Sequence, residues 1–119
     1  ISKEPLGPVV RRGDDEFFSI AKWVVFALIQ AAESGGNSGN VEEMMNSDNP
    51  TIKRLLGTSD QMGELLGLSD DWAAEMITQV GNYGEIFNRN VGPDTPLRLE
   101  RGVNDLWTRG GLMYAMPIR

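Results

Sequence analysis

Between Phe17 and Ala32 the chain is apolar except at Ser19, Lys22 and Gln30, and this run sets the terms for everything around it. It falls short of the roughly 20 apolar residues that cross a bilayer, so it reads as a core helix and not as a membrane span. Asp14 and Asp15 supply an N-cap and a negative first turn, and Gly35-Gly36-Asn37-Ser38-Gly39 supplies the stop, which predicts a helix over about 14–34. On a helical wheel Asp15, Ser19, Lys22, Gln30 and Glu33 form one polar stripe, with Phe26 inside it, and apolar side chains cover most of the remaining circumference. Such a helix needs neighbours on more than one side.

Ahead of it, Pro5, Gly7 and Pro8 forbid a helix and Val9-Val10 favours an extended backbone, so one strand is expected around Leu6 to Arg12, without an evident partner. Downstream, short helices are expected at about 41–46 and 51–56, broken by Ser47-Asp48-Asn49-Pro50, and a segment capped by Ser59 runs through Leu66. From Ser69 to about Asn90 the residues Ala73, Met76, Ile77, Val80, Phe87 and Val91 recur at three- and four-residue steps, which predicts a helix over 69–90 with Ser69 as its cap. Gly81 and Gly84 mark a bend in it. After Gly92-Pro93-Asp94-Thr95-Pro96, the residues Leu99, Val103, Leu106 and Trp107 predict a last helix over 96–109, stopped by Gly110-Gly111. The tail from Leu112 to Arg119 is too apolar for a solvated terminus and is expected to dock on the body. The fold class is therefore mainly α, with about five helices plus one N-terminal strand.

At 119 residues the chain makes one domain, and its 40% apolar and 24% charged content fits a folded globular chain. It has no histidine and no cysteine, which removes imidazole bases, thiol nucleophiles, disulfides and zinc sites built on either side chain. The net charge of −6, with Lys3, Lys22 and Lys53 and the arginines scattered, argues against nucleic acid as a partner. No signal-like region is visible at Ile1, so location cannot be read from targeting.

The acidic pairs Asp14/Asp15, Glu42/Glu43 and Asp70/Asp71 stand at predicted helix starts, where carboxylates pair with the macrodipole. Ser47-Asp48-Asn49 lacks the alternating oxygen ligands of a calcium loop. Neither glycine stretch has the lysine or the strand context of a phosphate-binding loop. Trp23, Trp72 and Trp107 read as core, and Met44, Met45, Met113 and Met116 as packing. No catalytic constellation, metal site or cofactor site is expected, and the enzyme reading is the weakest.

Function enters through longer phrases. Ile1-Ser-Lys-Glu-Pro-Leu-Gly-Pro-Val-Val-Arg, Asn49-Pro-Thr-Ile-Lys-Arg-Leu-Leu-Gly57 and Val80-Gly-Asn-Tyr-Gly-Glu-Ile-Phe-Asn-Arg-Asn-Val-Gly-Pro93 resemble the C-terminal part of periplasmic general L-amino-acid-binding proteins of polar amino-acid ABC transporters, in solute-binding protein family 3. Pro96-Leu-Arg-Leu-Glu-Arg-Gly102, Leu106-Trp-Thr-Arg-Gly-Gly-Leu-Met-Tyr-Ala115 and Pro117-Ile-Arg119 extend the resemblance over nearly the whole chain. It departs from the family in the glycine-rich loop 35–39 and in Met116, where proline is common.

The resemblance implies a fragment, about the last third of a two-lobed α/β protein that closes over one amino acid for an ABC permease. Residues 1–13 would then hold the crossover between lobes, at about Lys3 to Gly7, with a strand whose partners lie upstream, and residues 14–119 the helical C-terminal part of the first lobe. In the family an Arg and helix N-terminal amides hold the ligand carboxylate while an Asp takes the amino group. These lie upstream of Ile1, so no ligand-binding residue carries over. A periplasmic location follows from the same resemblance. The alternative is a stand-alone helical interaction module forming a homodimer, and in the main reading too the fragment is expected to form a dimer or larger assembly, held by Val9, Val10 and the face bearing Trp23, Phe26 and Leu28.

Overall fold

Helix α1, Asp15–Glu33, is the axis on which the rest is assembled. The Asp14 carboxylate accepts a hydrogen bond from the Phe17 amide at 3.0 Å, and the turn at Ser34 and Gly35 ends the helix where the glycines begin. The computed structural model describes residues 6–119. Lys3 to Pro5 of the expected crossover lie outside them.

Four shorter helices follow: α2, Val41–Met44; α3, Pro50–Leu55; α4, Trp72–Val80; and α5, Tyr83–Asn90. Helix α3 opens one residue earlier than predicted because Pro50 sits at its first position, with Asn49 accepting from the Thr51 amide. Turns of 3-10 helix occupy Glu64–Leu66, Gly102–Asn104 and Trp107–Arg109.

Two apolar clusters flank α1, as its broad apolar circumference requires. One joins Ala27 and Ala31 to Val41, Leu55, Leu56, Ala73, Ala74, Ile77 and Ile118, with Trp23 and Trp72 packed against it. The other joins Ile29 to Leu106 and Ala115, with Phe26 and Tyr83 at its margin. The tail therefore docks as expected, through Ala115 and Ile118, and the buried Gln30 accepts the Ile118 amide at 3.3 Å.

Four sequence expectations are corrected. Residues 6–11 form no strand, and among the described residues there is no sheet, only an isolated bridge between Leu106 and Met113. An extended segment becomes a strand only by pairing its amides and carbonyls, and this one finds no partner among the described residues. Leu6 and Val9 are almost fully exposed, at 92% and 95%.

The segment 59–66 is not capped by Ser59 and contains only the single turn at Glu64–Leu66. It is pinned instead by Asp70, whose carboxylate accepts from the Gly63 amide at 3.0 Å. Asp70 is thereby drawn away from α4, which starts at Trp72 with no side-chain cap from Asp71 and only the Ser69 carbonyl beneath it.

The predicted helix 69–90 is two helices, not one bent helix. Gly81 adopts φ 75 and ψ −171, an extended mirror-image conformation that only glycine tolerates, and Asn82 recaps the chain for α5.

The helix predicted over 96–109 is absent. Thr95 takes the Leu97 amide on its hydroxyl and donates that hydroxyl to the Gly92 carbonyl, the Leu99 amide pairs with the Val91 carbonyl, and Arg98 sits at φ 45. These local bonds satisfy the backbone outside a helix, and the two prolines bias the start against one. Leu99 and Val103, placed on the predicted apolar face, are exposed.

Candidate functional site

Among the described residues no group of three or more His, Cys, Asp or Glu side chains is placed to hold a metal ion. The acidic pairs serve mostly as the sequence suggests. Asp14 caps α1, Asp15 and Glu16 fill its first turn, and Glu42 and Glu43 fill that of α2. The third pair splits, Asp70 holding Gly63.

The tryptophans also divide. Trp23 and Trp72 line a cavity of about 90 Å³ with Met62, Leu66 and Ile118, and Arg54 and Arg119 at its edge. Arg54 is engaged by Asp60 at 3.0 Å. Trp107 is not core. It is 55% exposed and meets Tyr114 edge-to-face at 6.0 Å. Of the face expected to hold a second copy, Trp23 packs against the first cluster and Phe26 against the second, both half-buried.

The densest polar arrangement lies where α4 hands over to α5. Asn82 accepts from the Glu85 amide at 3.0 Å while the Glu85 carboxylate accepts from the Asn82 amide at 2.7 Å, a reciprocal capping box. The same carboxylate takes the Ser38 hydroxyl at 2.6 Å and the Ser38 amide at 3.2 Å, and the Asn82 side chain donates to the Gly36 carbonyl at 2.7 Å. One carboxylate and one amide thus tie the α1–α2 turn to the start of α5. A Cβ on Gly81 would collide with that carboxylate, so the glycine is required by space as well as by φ.

Partial burial raises the affinity of Glu85 for a proton. The Ser38 hydroxyl, the Asn82 and Ser38 amides and the nearby Arg89 charge outweigh it, and the carboxyl is held below its ordinary value. Sequence reading missed this cluster, though Asn82-x-x-Glu85 directly after a glycine is the pattern of a capping box.

A second tie involves Arg101. Its guanidinium pairs with Asp105 at 3.2 Å, donates twice to the Asn104 carbonyl and lies over the Tyr83 ring at 5.2 Å, fastening the tail to α5. Both ties are structural in form. Neither surrounds a space where a ligand could be held.

The comparisons supply what the local chemistry does not. No family model matches the chain. It is 57% identical to the general L-amino acid-binding periplasmic protein AapJ of Rhizobium johnstonii, over 100% of this chain and 36% of AapJ. It is 55% identical to the putative amino-acid ABC transporter-binding protein YhdW of Escherichia coli K12, over 100% of this chain and 35% of YhdW. A solved ABC transporter periplasmic binding protein from Brucella ovis, with glutathione bound, superposes with a TM-score of 0.90 at 49% identity, covering 92% of this chain and 35% of that one.

The chain matches along its length a part of periplasmic binding proteins of ABC transporters. It spans about a third of the length of the relatives it matches. The likeness extends to the arrangement of the helices, which superpose on the Brucella ovis protein with a TM-score of 0.90. No helix among the described residues is long and apolar enough to cross a membrane.

Proposed function

We propose that this chain is the C-terminal third of a binding protein that captures L-amino acids in the periplasm and delivers them to an ABC permease, with no enzymatic activity of its own. In this reading residues 14–119 are the helical C-terminal part of the first lobe, and residues 1–13 hold the crossover from the second lobe. The observation that carries it is identity of 51–57% along the full chain to three differently named amino-acid-binding proteins, each matched over only 35–36% of its length.

The ligand-gripping groups are assigned to the portion of the relatives that this chain does not match. Calorimetric titration of the isolated chain with a panel of L-amino acids tests this directly. No heat of binding is expected at micromolar ligand, and micromolar or tighter binding by the isolated chain would overturn the placement of the site. No observation favours the homo-oligomer reading over this one.

A further inference from the structure

We propose that Glu85 is an acid-released clasp between the α1–α2 turn and the start of α5. The geometry converges on one carboxylate. It accepts from the amide and hydroxyl of Ser38, 47 residues away in sequence, and from the amide of Asn82. Among the described residues the one other direct bond in the junction is that from the Asn82 side chain to the Gly36 carbonyl, and that side chain is oriented by the Glu85 amide. Protonating the carboxyl weakens it as acceptor for the Ser38 and Asn82 amides, which have no second partner, so the turn is left with the Asn82–Gly36 bond and the capping box with its Asn82 half.

The charges around the clasp leave it under the control of this one group. Arg89, one turn along α5, is the charge that acts on it, and Arg89 also donates to the Val80 carbonyl at 2.7 Å. The α1–α2 turn contributes Ser38 and the α4–α5 turn contributes Asn82, neither of which titrates. Helix α1 ends at Glu33, whose Oε1 is buried without a hydrogen-bond partner, and α2 carries Glu42 and Glu43 on its exposed side.

The sign follows from the carboxyl being held below its ordinary value in the fold. Its contribution to stability is complete above the unfolded-state value and is lost as pH falls through the lowered one. The clasp is therefore closed at neutral pH and opens in acid. It belongs to this chain irrespective of any ligand.

A pH titration followed by amide resonances tests it on the whole chain. The Ser38 and Asn82 amides are expected to shift together with a single midpoint below that of an ordinary Glu carboxyl, while amides in the middle of α1 stay in place. In Glu85→Gln the shift at both amides is expected to vanish. In Ser38→Ala, which removes one bond and leaves the fold intact, the Asn82 midpoint is expected to rise. Amides at Ser38 and Asn82 that do not move in acid, or that move only when α1 unfolds with them, overturn the proposal. So does a Ser38→Ala variant whose midpoint is unchanged.

Discussion

The helical body from α1 to α5 and the tail from Gly92 to Arg119 both pack on α1, yet only the body is built of α-helices. The body is held by apolar residues that recur with the helix period and close around Ala27 and Ala31. The tail has just three well-buried apolar anchors, Leu106, Ala115 and Ile118, and between them it leans on polar ties such as Arg101 to Asp105. The comparison shows that burial and regularity are separate properties. A segment lacking uninterrupted periodicity still docks when a few side chains reach the core and local hydrogen bonds satisfy its backbone.

The comparison predicts different responses to mutation. The largest belongs to the body: Ile77→Ala empties a fully buried site beside α1 and is expected to cost about 2–5 kcal/mol of stability, measured by urea unfolding. A loss much smaller than that would mean the first cluster is loosely packed. Next is the tail, where Arg101→Ala removes an ion pair, two hydrogen bonds and the contact with Tyr83. A loss of about 1.5–3 kcal/mol is expected, with limited proteolysis cutting within the tail before the body. Simultaneous cleavage of body and tail would erase the distinction between the two regions. The third, Asn82→Ala, removes the cap of α5 and is expected to cost about 1 kcal/mol. Val9→Ser comes last, expected to stay within about 0.5 kcal/mol by thermal unfolding, because its side chain touches almost nothing in this chain.

The sequence is most readable where caps and periodicity agree. Asp14 and the glycines after Ser34 bound α1 within a residue, and Asn49-Pro50 bounds the start of α3. It misleads where the same apolar spacing runs through residues with stronger local preferences. Leu99, Val103 and Leu106 keep helical steps, but Pro96, Thr95 and Gly102 commit the backbone to turns first. The break at Gly81 was visible as a glycine but not as a helix boundary. The boundary is set by the Asn82–Glu85 capping box, and the bond from Ser38 to Glu85 that reinforces it is long-range and encoded by no local pattern. The extended segment 6–11 fails for the opposite reason: its local preference is right, and no partner for it stands among the described residues. Family resemblance was legible over the whole length, since it rests on phrases and not on local structure.

Exchanging the corresponding final third of AapJ for this chain tests the central claim most directly, because the exchange asks whether this segment is what the identity says it is. Calorimetric titration of the chimera with L-amino acids is expected to give one binding site per molecule, with an affinity within about tenfold, or 1.4 kcal/mol, of AapJ itself. A chimera that does not fold, or that folds and binds no amino acid, would contradict the assignment of this chain to that place in a periplasmic binding protein.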